Sequence, residues 1–176
     1  QLRLVGEAHL GRAKACIVQE VGAADKAQQR DDLLLPHRGE RKVALAGAID
    51  ADAGTLIVTS VIGESGGAYG LTKFGPGIVN LTKSNTYTGA TAVNAGVLNI
   101  RNATATGTTA GGVTVASGAA LEMQTGITVG NETLSLNGTG VGSAGALRNI
   151  SGNNTWGGLV TLAGATRINS DTVGDT

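Results

Sequence analysis

Aromatic residues are nearly absent from this 176-residue chain, which has two tyrosines, one phenylalanine and one tryptophan. A core of this size normally relies on several large rings, so small and branched residues must fill it in thin layers. The single cysteine excludes an internal disulfide. Thirteen basic and thirteen acidic side chains cancel, which argues against nucleic acid or an anionic membrane as a partner.

Long apolar runs are also missing. No stretch reaches the roughly 18 residues that a transmembrane helix needs. The N-terminus lacks a basic start followed by an apolar segment, so no signal peptide is visible. Together with the repeats described next, this pattern leads us to expect a piece of a longer secreted chain.

Glycine is abundant, with 29 residues, and it is regularly spaced. A glycine followed by a short apolar run recurs about every 22 residues, a period typical of stacked repeat proteins. Each unit buries its apolar face against the next copy. The anchor glycines are Gly54, Gly77, Gly96, Gly118, Gly145 and Gly164.

Between the glycines lie short β-prone runs whose apolar residues alternate with Thr or Ser. The pairs Val113/Val115, Leu134/Leu136 and Val160/Leu162 have the period of two that is typical of a strand with one buried face. We therefore predict an all-β parallel β-helix (β-solenoid) of about six rungs over residues 43–176. The rival β-sandwich predicts larger core aromatics and less regular glycine spacing.

Composition changes near residue 43. Residues 1–42 hold eight of the thirteen Lys and Arg residues and only four glycines. A loose helical spacing runs from Ala13 to Arg30, but Gly11 and Gly22 weaken it. We predict a weakly ordered or partly helical segment here, either a linker or cap, or a stretch foreign to the repeat protein.

One segment resembles a known family. It begins Leu-Thr-Lys at Leu71 and continues through Asn-Thr-Tyr-Thr-Gly at Asn85 to Leu98. This closely resembles the autotransporter-associated β-strand repeat, also called the passenger-associated transport repeat. A weaker echo is Asn154-Thr155-Trp156. The matching positions are Leu71, Thr72, Lys73, Gly75, Gly77, Leu81, Asn85, Thr86, Tyr87, Thr88, Gly89, Thr91, Val93, Ala95, Gly96 and Leu98.

The resemblance implies a right-handed parallel β-helix that is exported through the inner membrane and then through a C-terminal outer-membrane barrel of the full-length parent. In the family, this repeat is associated with efficient secretion of the passenger. The expected location is therefore the cell surface of a bacterium, with anchoring through a region that this sequence does not contain.

Candidate chemistry is sparse. The glycine spacing from Gly140 to Gly145 fits a dinucleotide loop, but no helix follows it, so a turn is favoured. His9 and His37 are too isolated for a metal site, and Cys16 lacks a partner histidine in the repeats. We expect no cofactor and no metal.

Glu122 and Glu132 are the carboxylates considered for a polysaccharide lyase or hydrolase. Their separation of half a rung predicts different faces, which disfavours a catalytic pair. Tyr87 and Trp156 are candidates for binding a glycan or a protein on a host or neighbouring cell. Alternatively, each ring covers an apolar corner of a rung.

Three hypotheses follow. The first is a non-enzymatic structural segment of a surface passenger, acting as a stiff stalk or adhesin scaffold and aiding secretion. The second is a β-helix module that binds glycans or host proteins. The third is a fragment of a β-helical polysaccharide lyase or hydrolase.

Overall fold

The computed structural model describes residues 47–171. The predicted segment 1–42 lies outside this range, as do His9, Cys16 and His37. Within residues 47–171, no helix is long and apolar enough to span a membrane.

Short strands and tight turns make up the described residues, and the one helical element is a single 3₁₀ turn at Val141–Ser143. The strands are β1 Gly47–Asp50, β2 Thr55–Val58, β3 Leu71–Phe74, β4 Ile78–Leu81, β5 Thr91–Val93, β6 Val97–Ile100, β7 Val113–Val115, β8 Ala120–Gln124, β9 Thr128–Val129, β10 Leu134–Gly138, β11 Leu147–Ser151, β12 Thr155–Trp156, β13 Val160–Thr166 and β14 Ile168–Ser170.

These strands stack into a coil with three sides. The first side is a six-stranded sheet of order β1-β3-β5-β7-β10-β13, and the second is a six-stranded sheet of order β2-β4-β6-β8-β11-β14. Every pairing is parallel. Six stacked levels correspond to about five turns of the coil. The predicted parallel β-helix is confirmed.

The register of the strands superposes apolar side chains along the axis. On the second sheet, one interior column follows paired positions from β2 to β14. All but the last of these residues are buried, and Leu98 and Leu121 are fully so. Burying such a side chain is worth roughly 1.5–3 kcal/mol. The column consists of Leu56, Val79, Leu98, Leu121, Leu147 and Ile168.

The third side differs from the two sheets. It consists of the connections from each second-sheet strand to the next first-sheet strand: residues 59–70, 82–90, 101–112, 125–133 and 152–159. Only β9 and β12 pair there. Elsewhere on this side, single backbone hydrogen bonds, such as that from Thr86 N–H to the Ile62 carbonyl, and side-chain bonds, such as that from Ile62 N–H to Asn85 Oδ1, join the levels.

Candidate functional site

The family-like segment occupies one complete turn of the coil and begins the next. It starts on β3, crosses β4 and the third side, and ends on β6. Leu71 pairs with Thr91, and Thr91 with Val113, so the segment lies in register with the level above it. The matching residues are therefore neighbours along a single continuous coil.

Asn85 joins three levels of the third side. Its Oδ1 accepts the backbone N–H of Ile62 at 2.8 Å, and its Nδ2 donates to the carbonyl of Ala105. Its own N–H donates to the carbonyl of Thr104 at 3.0 Å. The side chain is 4% exposed. A buried amide with both ends bonded fixes the spacing of the turns below and above it.

Asn154 repeats the downward part of this arrangement higher in the coil, while its Nδ2 donates to the nearby carbonyls of Ser151 and Gly152. Its Oδ1 accepts the N–H of Ile127 at 2.7 Å, as Asn85 does from Ile62. The next residue, Thr155, donates its N–H to the carbonyl of Ile127 at 2.8 Å, just as Thr86 does to Ile62 at 2.9 Å. The weak sequence echo thus corresponds to an equivalent structural position.

Tyr87 is inside the coil. Its side chain is 1% exposed, and its hydroxyl lies 2.7 Å from Oγ1 of Thr91. Burial raises the pKa of this phenol, and the hydrogen bond with Thr91 opposes the rise. The prediction that Tyr87 binds a ligand at the surface is therefore wrong, because a buried ring offers no face to a ligand.

Trp156 is half-buried and packs against the core. Its Nε1 donates to the carbonyl of Glu132 at 2.9 Å. The ring therefore joins two levels of the third side while part of it remains at the surface. Whether it binds a partner stays a prediction.

Lys73 occupies a position of the first sheet at which the strands below and above it have aliphatic residues. It pairs with Ile49 below and Val93 above, both buried, and is itself 0% exposed. Its Nζ donates to the carbonyls of Phe74, Gly75 and Ala95 at 2.5, 2.7 and 3.1 Å. Burial lowers its pKa to about 8, and the charge of Asp50 opposes that shift.

The two carboxylates considered for catalysis lie in different surroundings. Glu122, on the outward side of β8, accepts a hydrogen bond from Nη1 of Arg148 at 3.1 Å and one from Nδ2 of Asn99 at 3.2 Å. Arg148 also pairs with Asp171, whose hydrogen bond with the guanidinium raises the arginine pKa. Glu132 is 1% exposed in the third side. Both carboxylates are buried, but Glu122 is paired with Arg148 on the outer face of the second sheet, whereas Glu132 lies inside the third side.

Other ligand sites are not evident. Residues 47–171 contain no group of three or more His, Cys, Asp or Glu side chains able to hold a metal ion. A shallow groove of about 310 Å³ lies along β7 and β10, lined by residues that include Thr114, Ser135 and Leu159. The glycine-rich segment Gly140–Gly145 forms the turn between β10 and β11.

Comparison with known proteins agrees with this geometry. The pattern of the family described as passenger-associated-transport-repeat matches residues 71–100. The "Adhesin BmaC autotransporter" of Brucella suis biovar 1 (strain 1330) is 43% identical over 54 residues. That alignment covers 31% of this chain and 2% of the adhesin. No solved structure matches the chain. Residues 71–100 of this parallel β-solenoid are therefore similar to the passenger-associated transport repeat, and part of the chain is similar to an autotransporter adhesin.

Proposed function

We propose that this chain is a non-enzymatic structural segment of a bacterial surface passenger, acting as a stiff stalk or adhesin scaffold. The observation that carries the proposal is the family repeat folded as one continuous turn tied to the turns on both sides. Two six-stranded parallel sheets run along the axis, and the backbone ladders of such sheets resist bending of the stack. A similar adhesin supports the same role.

The repeat also suits a role in secretion. Its Asn85 accepts a bond from the preceding turn through Ile62 and donates one to the following turn through Ala105. A turn that is already folded thus presents the partner for the next one. Vectorial stacking outside the cell would draw the chain outward, since each added turn buries apolar surface against its neighbour.

The carboxylates support a scaffold rather than a hydrolase. A glycosidase needs two acidic groups facing a common groove. Glu122 is held by Arg148 and Asn99 on the outer face of the second sheet, whereas Glu132 is enclosed in the third side. The two carboxylates therefore cannot act together on one sugar.

Deleting a single turn in register tests the secretion role. Removing residues 71–90 brings Thr91 to the place of Leu71, because these two residues pair. We expect the amount of protein on the cell surface to fall severalfold, since the deletion removes most of the family repeat. The full-length protein is expressed in its native host, and the surface fraction is measured as whole-cell antibody labelling relative to the total amount of the protein.

The matched control removes residues 113–133, which also form one turn in register because Val113 pairs with Leu134. This deletion leaves the family repeat intact, so surface labelling should stay near the wild-type level. Equal losses from both deletions would show that any turn matters and that the repeat has no special role. Unchanged export of the first variant would refute the secretion role altogether.

A second candidate function is binding of a glycan or of a protein on a host or neighbouring cell. The observation in its favour is the half-buried ring of Trp156, which lies next to Gly157 and Gly158 at the surface of the third side. Aromatic faces commonly carry such contacts. Under either function, we propose that the full-length parent is located at the cell surface and is anchored by an outer-membrane barrel.

Glycan-array binding by the purified chain tests this function. Replacing Trp156 with alanine should abolish any signal, whereas phenylalanine should retain part of it because a ring face remains. The phenylalanine variant also lacks the Nε1 bond to Glu132, so it separates loss of that bond from loss of the ring. Binding that survives the alanine change would place the contact elsewhere.

A further inference from the structure

Glu132 is a buried acid at a junction of the third side. Its Oε2 accepts a bond from Oγ1 of Thr106 at 2.6 Å, while its Oε1 is buried without a partner among the described residues. The connections 101–112 and 125–133 are joined by this bond and by one from Oγ1 of Thr125 to the carbonyl of Arg101 at 3.3 Å. Of these two side-chain hydrogen bonds between the connections, the one that Glu132 accepts is the shorter.

No positive charge balances this carboxyl group within residues 47–171, where both ion pairs belong to Arg148. The titratable group that faces Glu132 is Tyr87, whose pKa is raised by burial and further by the charge of Glu132. Thr91 links the two, because its Oγ1 bonds both the Tyr87 hydroxyl and the carbonyl of Thr106. An ionised carboxylate here has one hydrogen bond and little water around it.

We propose that Glu132 is a pH-sensitive link in the third side of the coil. Its neutral carboxyl keeps the connections 101–112 and 125–133 together, and its ionised carboxylate loosens them by drawing water between them. An unpaired carboxylate in such a site is costly, whereas a protonated one is tolerated. The coil is therefore held more tightly in mildly acidic surroundings than in alkaline ones.

The direction of the effect follows from linkage. Burial raises the pKa of Glu132 to about 7 from the usual 4.5, and the bond from Thr106 opposes the rise. Between these two values the folded chain holds a proton that the unfolded chain has lost. Stability from this group is therefore complete below pH 4.5, declines as pH rises toward 7, and is lost above it.

Urea unfolding at several pH values tests the proposal. Trp156 is the single tryptophan of the chain, and its ring bonds the carbonyl of Glu132, so its fluorescence reports on this site. His9 and His37 are first replaced by glutamine, because histidine titrates in the same range. We expect the unfolding equilibrium constant to rise about 60-fold from pH 5 to pH 7.5 and Glu132→Gln to abolish most of that rise.

Glu64→Gln is the matched control. That carboxylate accepts bonds from Thr88 and Tyr69, and these bonds lower its pKa, so the variant should keep the full rise between pH 5 and 7.5. An unfolding constant that does not change with pH, or a Glu132→Gln chain with the wild-type pH dependence, would overturn the proposal.

A direct titration covers the case in which Glu132→Gln fails to fold. Carbon-13 NMR of the glutamate carboxyl groups in the histidine-free chain should show one of them titrating near pH 7. Thr106→Val should move that midpoint upward, because the Thr106 bond lowers the pKa. If every glutamate titrates near its usual value, the proposal is wrong.

Discussion

Replacing Gly89 with alanine is expected to destabilise the coil by about 3 kcal/mol or more, an effect at the upper end for a single substitution. A Cβ at this position would lie 2.3 Å from the backbone nitrogen of Gly70 and 2.4 Å from the carbonyl carbon of Tyr69. Both are main-chain atoms of the turn below, so no side-chain rotation relieves the clash. Urea unfolding followed by circular dichroism measures the loss.

Gly130→Ala is the matched control for that change. A Cβ at this position meets no atom within 4 Å, and its backbone is not in the left-handed region. Its unfolding midpoint should stay close to that of the wild type. If Gly89→Ala were equally mild, the levels of the third side would have to be less closely packed than the structure shows, and the role of this family glycine as a spacer would be refuted.

Replacing Lys73 with methionine is expected to destabilise the coil by about 2–4 kcal/mol. Methionine fills a similar volume between Ile49 and Val93, yet it leaves the carbonyls of Phe74, Gly75 and Ala95 without this donor. The Phe74 carbonyl still accepts the N–H of Ala51 at 3.4 Å, but the partly buried carbonyls of Gly75 and Ala95 lose this donor, and an unmade bond carries a desolvation penalty. The free energy of unfolding at pH 7, from urea titration, measures the effect.

The opposite result has a clear meaning, because removing a buried charge can also stabilise a protein. An unchanged or higher stability of Lys73→Met would show that the cost of burying the ammonium group exceeds the gain from its three bonds. Lys83→Met serves as the control, because Lys83 is exposed and its replacement should change the free energy of unfolding little.

The coil was predictable because its two sheets follow local rules. Alternating pairs such as Leu134/Leu136 became buried positions of β10, and the regular glycines separated the strands. Strand β1 was not predicted, since its four residues contain one large aliphatic side chain, Ile49. Its extended form depends on pairing with β3, and a partner 24 residues away leaves no local signal.

Lys73 was recognised as a repeat residue, but its burial was not predicted. The signal was present, since Leu71 and Lys73 are two apart in one strand and so lie on the same face. A lysine is seldom fully buried, and the three converging carbonyls explain why an ammonium group is tolerated inside. Periodicity should have outweighed residue type here.

The buried groups of the third side were beyond sequence reasoning. Glu132 lies in the third-side connection 125–133, and its burial and its bond to Thr106 depend on how connections 26 residues apart stack. The same holds for Tyr87, whose hydroxyl is enclosed near Thr91 and Thr106. Such contacts join irregular connections of different lengths, so no fixed sequence spacing predicts which residues meet.

The uneven lengths of the third-side connections have a consequence for diversification. The connections 59–70 and 101–112 are equally long and 152–159 is the shortest, yet each returns the chain to a strand of the first sheet that pairs with its neighbour. At Gly66 a side chain would meet no neighbouring atom, and Ser65 and Gly67 are exposed. New peptide can be accommodated there without disturbing the axis, so one rigid rod can acquire many different outer surfaces.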